Sequence, residues 1–163
     1  MTVCGTLHVH SCPPALTPHV EWALSNELGV RVALSWRDQT HAPGLLRAEG
    51  TWRGRIGAAG RLASVLKGWS MLRFEVTEEP SAGCDGVRHS FTPTLGLFSA
   101  TTSASGDVVV GELQLRALLA GAPYLGAVPV AIETLLGTAW DDELEPFRQA
   151  AADGPAARLL SVI

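Results

Sequence analysis

The sequence lacks most of the features that announce a chemistry or a location. No apolar run approaches the roughly 20 residues needed to span a bilayer, so no membrane partner is expected. Residues 1–9 have no basic flank, and His8 and His10 break up the apolar residues there, which excludes a secretory signal. Cysteine is scarce and odd in number. Cys4, Cys12 and Cys84 form no Cys-x-x-Cys pair, which argues against a disulfide framework and predicts a reducing, cytoplasmic setting.

Catalytic signatures are equally thin. Gly68-Trp69-Ser70-Met71-Leu72 is not a nucleophile elbow, there is no His-Glu-x-x-His, and no cysteine has an obvious base. The aromatic signatures of RNA-recognition sheets are missing. A formal charge of −4 and a pI near 5.7 disfavour nucleic acid as a partner. No cofactor fingerprint appears, and none is expected.

What is present is an ordinary globular composition: 163 residues, 47% hydrophobic and 17% charged. That length and apolar content fit one domain with a real core. The mean charge conceals an asymmetry. From Arg31 to Arg73 eight cations face two anions, leaving +6 there and −10 over the rest of a chain of net −4. The middle of the chain is cationic and both ends are acidic.

Hydrophobic periodicity then sets the elements. Val3, Leu7 and Val9 alternate with Cys4, Thr6, His8 and His10, predicting a half-buried strand. Thr17-Pro18 opens a helix whose stripe is Val20, Ala23, Leu24 and Leu28, and Gly29 closes it. Val30, Val32, Leu34 and Trp36 alternate with Arg31, Ala33, Ser35 and Arg37, a second strand; Leu46, Ala48 and Trp52 alternate with Arg47, Glu49, Thr51 and Arg53, a third. A helix from Ala58 to Leu66 and a strand from Leu72 to Thr77 complete the order β-α-β-β-α-β. This predicts an α+β fold with a ferredoxin-like core over residues 1–78. Residues 79–163 form an extension of the same single domain: short strands at Val87–Phe91 and Leu95–Ala100, then helices at Glu112–Leu119, Pro129–Leu136 and Asp141–Ala150.

Several tracts taken together carry a family likeness. They are Leu7-His8-Val9-His10-Ser11-Cys12-Pro13-Pro14-Ala15-Leu16, Pro18-His19-Val20-Glu21-Trp22-Ala23, Leu72-Arg73-Phe74-Glu75-Val76-Thr77-Glu78-Glu79-Pro80, Thr92-Pro93-Thr94-Leu95-Gly96-Leu97-Phe98 and Gly137-Thr138-Ala139-Trp140-Asp141-Asp142-Glu143-Leu144-Glu145-Pro146-Phe147-Arg148. Over most of its length the chain resembles an actinobacterial family known as domain of unknown function 3145. The resemblance implies no assigned activity and carries over no catalytic residues. It does imply a genomic neighbourhood of fatty-acid synthesis, and so an acyl carrier protein or acyl-CoA as a natural partner.

Several constellations are candidates for a site. On a ferredoxin-like sheet the face away from the helices would carry His8, His10, Arg31, Arg37, Arg47, Arg53 and Arg73 with Glu49 and Glu75. Arginine forks there would take carboxylate or phosphate bidentately; alternatively the acids of the last helix, Asp141 to Glu145, pair with them internally. His8, His10, Cys12 and His19 are zinc-ligand types at a spacing that matches no zinc pattern, so no metal is expected. Gly54, Gly57 and Gly60, flanked by Arg53, Arg55 and Arg61, precede a helix whose free amides suit a phosphate, or simply make a turn. Trp22 lies opposite the stripe of the first helix, where it marks a binding surface unless the extension packs over it, the simpler expectation. Thr138 to Asp141 reads as a capping box.

Three functions remain open. The first is a non-enzymatic accessory or regulatory protein binding an acidic protein or anionic metabolite. The second is a small enzyme using histidine acid–base chemistry beside an arginine-held anion. The third is a structural homodimerisation domain, so the chain is expected as a monomer or homodimer.

Overall fold

The structure, a computed structural model, describes residues 2–152; residues 1 and 153–163 of the expected domain lie outside them. The order of elements is β1 (Thr2–Cys12), α1 (Thr17–Leu28), β2 (Arg37–Asp38), β3 (Leu46–Arg55), α2 (Ala58–Leu66), β4 (Arg73–Glu78), β5 (Gly86–Thr92), β6 (Gly96–Thr102), β7 (Val108–Val109), α3 (Glu112–Gly121), α4 (Val128–Leu136) and α5 (Thr138–Ala152). Single 3-10 turns precede α1 and α4. The seven strands form one antiparallel sheet in the order β2-β3-β1-β4-β5-β6-β7. This is a mixed α+β protein in which the strands of residues 86–109 extend the sheet of the first half.

The period-2 alternation of β1 and β4 sends Val3, Leu7, Val9, Phe74 and Val76 to the same side. There they bury against Val20 and Leu24 of α1 and Leu62 and Leu66 of α2. Trp52 of β3 lies flat over Gly5, where any Cβ would collide with the indole and with the Thr77 carbonyl. Gly29 ends α1 in the left-handed region, at φ 69°, as its place after the apolar stripe requires.

The expected second strand is corrected. Of residues 30–37 only Arg37 joins the sheet, pairing with Arg47. The rest is extended chain fastened to α1 rather than to β3. Ser25 Oγ accepts from the Val32 amide at 2.9 Å, and Glu21 Oε1 accepts from the Leu34 amide and the Trp36 indole N–H, both at 2.9 Å. A carboxylate bond to an amide is stronger than a neutral ladder bond, so the segment is lifted away from the edge of β3.

The other face of the sheet is covered by α5. Leu144 and Phe147 bury against it, and Trp140 donates to the Gly96 carbonyl at 2.9 Å. The capping box expected at Thr138 is also corrected. The Asp141 amide bonds to the Gly137 carbonyl, while its carboxylate turns to the sheet.

Candidate functional site

On the α5 side, alternation along β1 and β4 brings His10 and Glu75 together in the interior, 5% and 7% exposed. His10 Nε2 lies 2.8 Å from Glu75 Oε2. Arg148 of α5 reaches down to the same carboxylate with two bonds, Nε–Oε2 at 2.9 Å and Nη2–Oε1 at 2.5 Å, and holds Asp141 at 2.8 Å. Arg88 meets Asp141 at 3.3 Å, and Arg73 meets Glu143 at 3.4 Å beneath the Phe147 ring. Burial alone would raise the Glu75 carboxyl, but the hydrogen bonds and charges of His10 and Arg148 outweigh it and hold it well below the usual range. The same carboxylate holds the Arg148 guanidinium charged against its own burial. This charge set is closed, its anions and cations supplied by the chain itself.

Beyond the cover of α5, His8 stacks on His10 with ring centroids 6.0 Å apart and lies 3.5 Å from Glu49. Burial, then the neighbouring His10, lowers its pKa from the ordinary value, so the ring is neutral at pH 7. Among the described residues no three His, Cys, Asp or Glu side chains are placed to hold a metal ion.

The opposite side of the sheet has a different character. Because residues 30–36 are tied to α1, a cavity of about 570 Å³ opens beneath them. Its walls are Leu7, Leu24, Leu28, Leu62 and Trp52 from the core, and Val30, Val32 and Leu34 from the covering segment. Arg31 and Arg53 stand among its lining residues; both are exposed and neither pairs with a carboxylate of the described residues. A second cavity of about 600 Å³ shares Leu28 and Arg53 with the first and adds Arg55, Arg61 and Glu27. Here charged and polar residues are mixed with Leu28 and Ile56.

The anticipated residues therefore fall into three groups. His10 and Arg73 lie under α5, and His8 is on the same face beyond its cover. Arg47 is beside them, half-buried, with Nε lacking a hydrogen-bond partner among the described residues. Arg53, Arg55 and Arg61 gather instead around the two cavities at the edge of β3. His19 and Trp22 are on the outer surface of α1, and Trp22 is 66% exposed, so the expected cover by the extension is not there. The amides at the start of α2 are not free for a phosphate. Glu78 takes those of Gly57 and Ala59 at 2.9 and 3.1 Å. Sequence reasoning passed over Glu21, Glu78, Arg88 and Arg148. For Glu78 the signal was there, an acid in phase with the core residues of β4.

The molecule is thus an α+β protein with one internally neutralised sheet face and an apolar cavity on the other side, opened by a lifted segment. A family model described as "Protein of unknown function (DUF3145)" matches residues 6–161, and the chain belongs to that family. No curated protein and no solved structure matches it. No helix among the described residues is long and apolar enough to cross a membrane.

Proposed function

We propose that this is a non-enzymatic binding protein. Its ligand inserts an apolar chain into the cavity beneath residues 30–36 and leaves an anionic group at the arginine rim. The observation that supports this reading is the pairing, in one cavity of about 570 Å³, of aliphatic and indole walls with two arginines that have no internal carboxylate. A volume of this order is typical of small-molecule sites, which are mostly apolar with a few oriented polar groups. The anion is placed here rather than on the sheet face because α5 already answers that face with its own acids. An acyl chain suits the cavity, in keeping with the neighbourhood of fatty-acid synthesis that the family resemblance implies. Histidine acid–base chemistry is served less well, since His8, His10 and His19 line neither of the two cavities.

Two structural readings accompany the proposal. The order β2-β3-β1-β4 at one end of the sheet supports a ferredoxin-like core, with residues 30–36 standing where most of its second strand would run. Three free thiols favour a cytoplasmic home.

The test is a thermal-shift series with saturated fatty acids of increasing length. Saturation at a hundred times the dissociation constant adds about 2.7 kcal/mol, a rise of roughly 5–11 °C for a chain this long. Each further methylene should tighten binding by up to about 0.8 kcal/mol until the cavity is full. Gly50 faces the cavity, and a Cβ there meets only Leu34 at an ordinary 3.5 Å. Gly50→Leu should therefore fill the space, keep the fold and abolish the shift. A chain-length series with no trend would sink the proposal.

A homodimer is a second reading, supported by a separate observation. α3, α4 and the turn between them contain no buried residue, and Leu113, Leu119, Tyr124, Leu125 and Val130 are each more than 60% exposed. The hairpin carries only the Glu112–Arg116 pair and Glu133 as charges, so it offers nothing to a charged partner, whereas a second apolar hairpin would cover it. Sedimentation velocity should give a dimer that Leu113→Glu with Leu125→Glu dissociates. A monomer at every concentration would end this reading.

A further inference from the structure

We infer that the ligand's head is a phosphate group, seated in the cavity that adjoins the apolar one at Arg53. This rests on the binding reading above and adds the chemistry of the end that stays outside the apolar walls. The two cavities share Leu28 and Arg53, so a chain lying along Leu28 emerges directly into the second space. That space is lined by Arg53, Arg55 and Arg61 against a single acid, Glu27. Glu27 Oε2 is 3.6 Å from Arg61 Nε and neutralises one guanidinium, which leaves a local charge of +2. A carboxylate head satisfies half of that charge. A phosphate monoester, with about −1.5 to −2 at pH 7, satisfies all of it and offers oxygens enough for two planar forks.

Among the described residues no carboxylate besides Glu27 pairs with these arginines. The acids of α5 are taken by Arg73, Arg88 and Arg148 on the far face. Glu78, near the start of α2, is turned onto the amides of Gly57 and Ala59. That contact also keeps the phosphate off the helix terminus and leaves the guanidinium groups as the charged donors of the cavity, beside Asn26 and Thr2. Of the arginines, Arg55 has no ion pair among the described residues, and Arg61 has the 3.6 Å approach of Glu27 and a 3.4 Å bond from Nη1 to the Ile56 carbonyl.

Octyl phosphate and octanoate, equal in chain and different in head, separate the head from the chain when titrated calorimetrically into the full-length protein. The phosphate is expected to bind at least tenfold more tightly at pH 7.5, and the advantage should shrink severalfold at about pH 5.5, where the monoester is mostly a monoanion and octanoate is still mostly ionised. Arg55→Gln with Arg61→Gln should remove the advantage while leaving the octanoate affinity within about twofold. These exposed side chains are not core, and an unchanged melting temperature checks that the variant is folded. If both ligands bind equally and the double variant weakens neither, the phosphate assignment is wrong while the apolar cavity reading stands. If octanoate and octyl phosphate both fail to bind, the cavity reading falls and this inference falls with it.

Discussion

Replacing Arg148 by Met is the sharpest probe of how α5 is held to the sheet. Arg148 is 26% exposed and Glu75 only 10% by side chain, and two of its nitrogens bond the two carboxylate oxygens. Methionine keeps the apolar stem and removes the charge, leaving Glu75 buried with His10 and Ser90 as its remaining partners. Stripping one partner from a buried ion pair costs about 3–5 kcal/mol. The surviving bonds and partial exposure place the expected loss at the lower end, about 3 kcal/mol, or roughly 6–12 °C in melting temperature. Urea unfolding read by circular dichroism gives the number directly. Pairing the change with Glu75→Gln should recover part of the loss, because no uncompensated charge then remains. A loss below about 1 kcal/mol, or strict additivity in the double variant, would refute the reasoning.

The acid limb carries a second signature of the same pair. Glu75 titrates lower in the folded protein than in the unfolded chain, so its contribution is fully present above about pH 4.3 and is lost as the pH falls from there. Arg148→Met brings the folded value back toward the unfolded one. The variant's stability should therefore fall less steeply between pH 5 and 3 than the parent's.

Other consequences can be checked separately. His8 and His89 are both lowered by burial, so their neutral forms favour folding and stability should begin to decline as pH drops through about 6.5; His8→Asn with His89→Asn should flatten that part of the profile. Glu21→Gln weakens the acceptor that holds Leu34 and Trp36; it should destabilise by about 1–2 kcal/mol and speed hydrogen exchange at the Leu34 amide more than at β1. Burial pushes the Cys12 thiol up to about 11, so at pH 8 a maleimide should label exposed Cys84 first and leave Cys12 unmodified until the protein is unfolded.

Much of the fold was legible because the strand and helix periods differ and their stops are chemical. Gly29 and Gly137 close α1 and α4 as their positions predict, and α3, α4 and α5 lie within a few residues of their expected bounds. Residues 30–36 show where periodicity runs out. Their apolar alternation is real, but Glu21 and Ser25 bid for the backbone amides that a strand would have given to β3, and spacing cannot weigh that competition. The pairing of Arg73 with an acid of α5 was one of the two alternatives that charge alone raised, whereas the Arg88–Asp141 pair was not foreseen. The cavity was not, since it arises from a gap between elements rather than from any motif. Trp22 was misjudged because α5, the helix of the extension that packs on the sheet, lies on the side opposite α1.

The central claim is that an apolar chain enters beneath residues 30–36, and Trp52 is the reporter already in place. Its indole lines the cavity and is 4% exposed, so solvent-borne quenchers reach it poorly while a brominated chain inside the cavity would touch it. Titration with a bromine-bearing fatty acid should quench tryptophan emission saturably, and Trp52→Phe should remove most of that quenching while the Trp22→Phe protein retains it. Quenching that persists in Trp52→Phe, or that requires Trp22, would put the chain elsewhere and contradict the account.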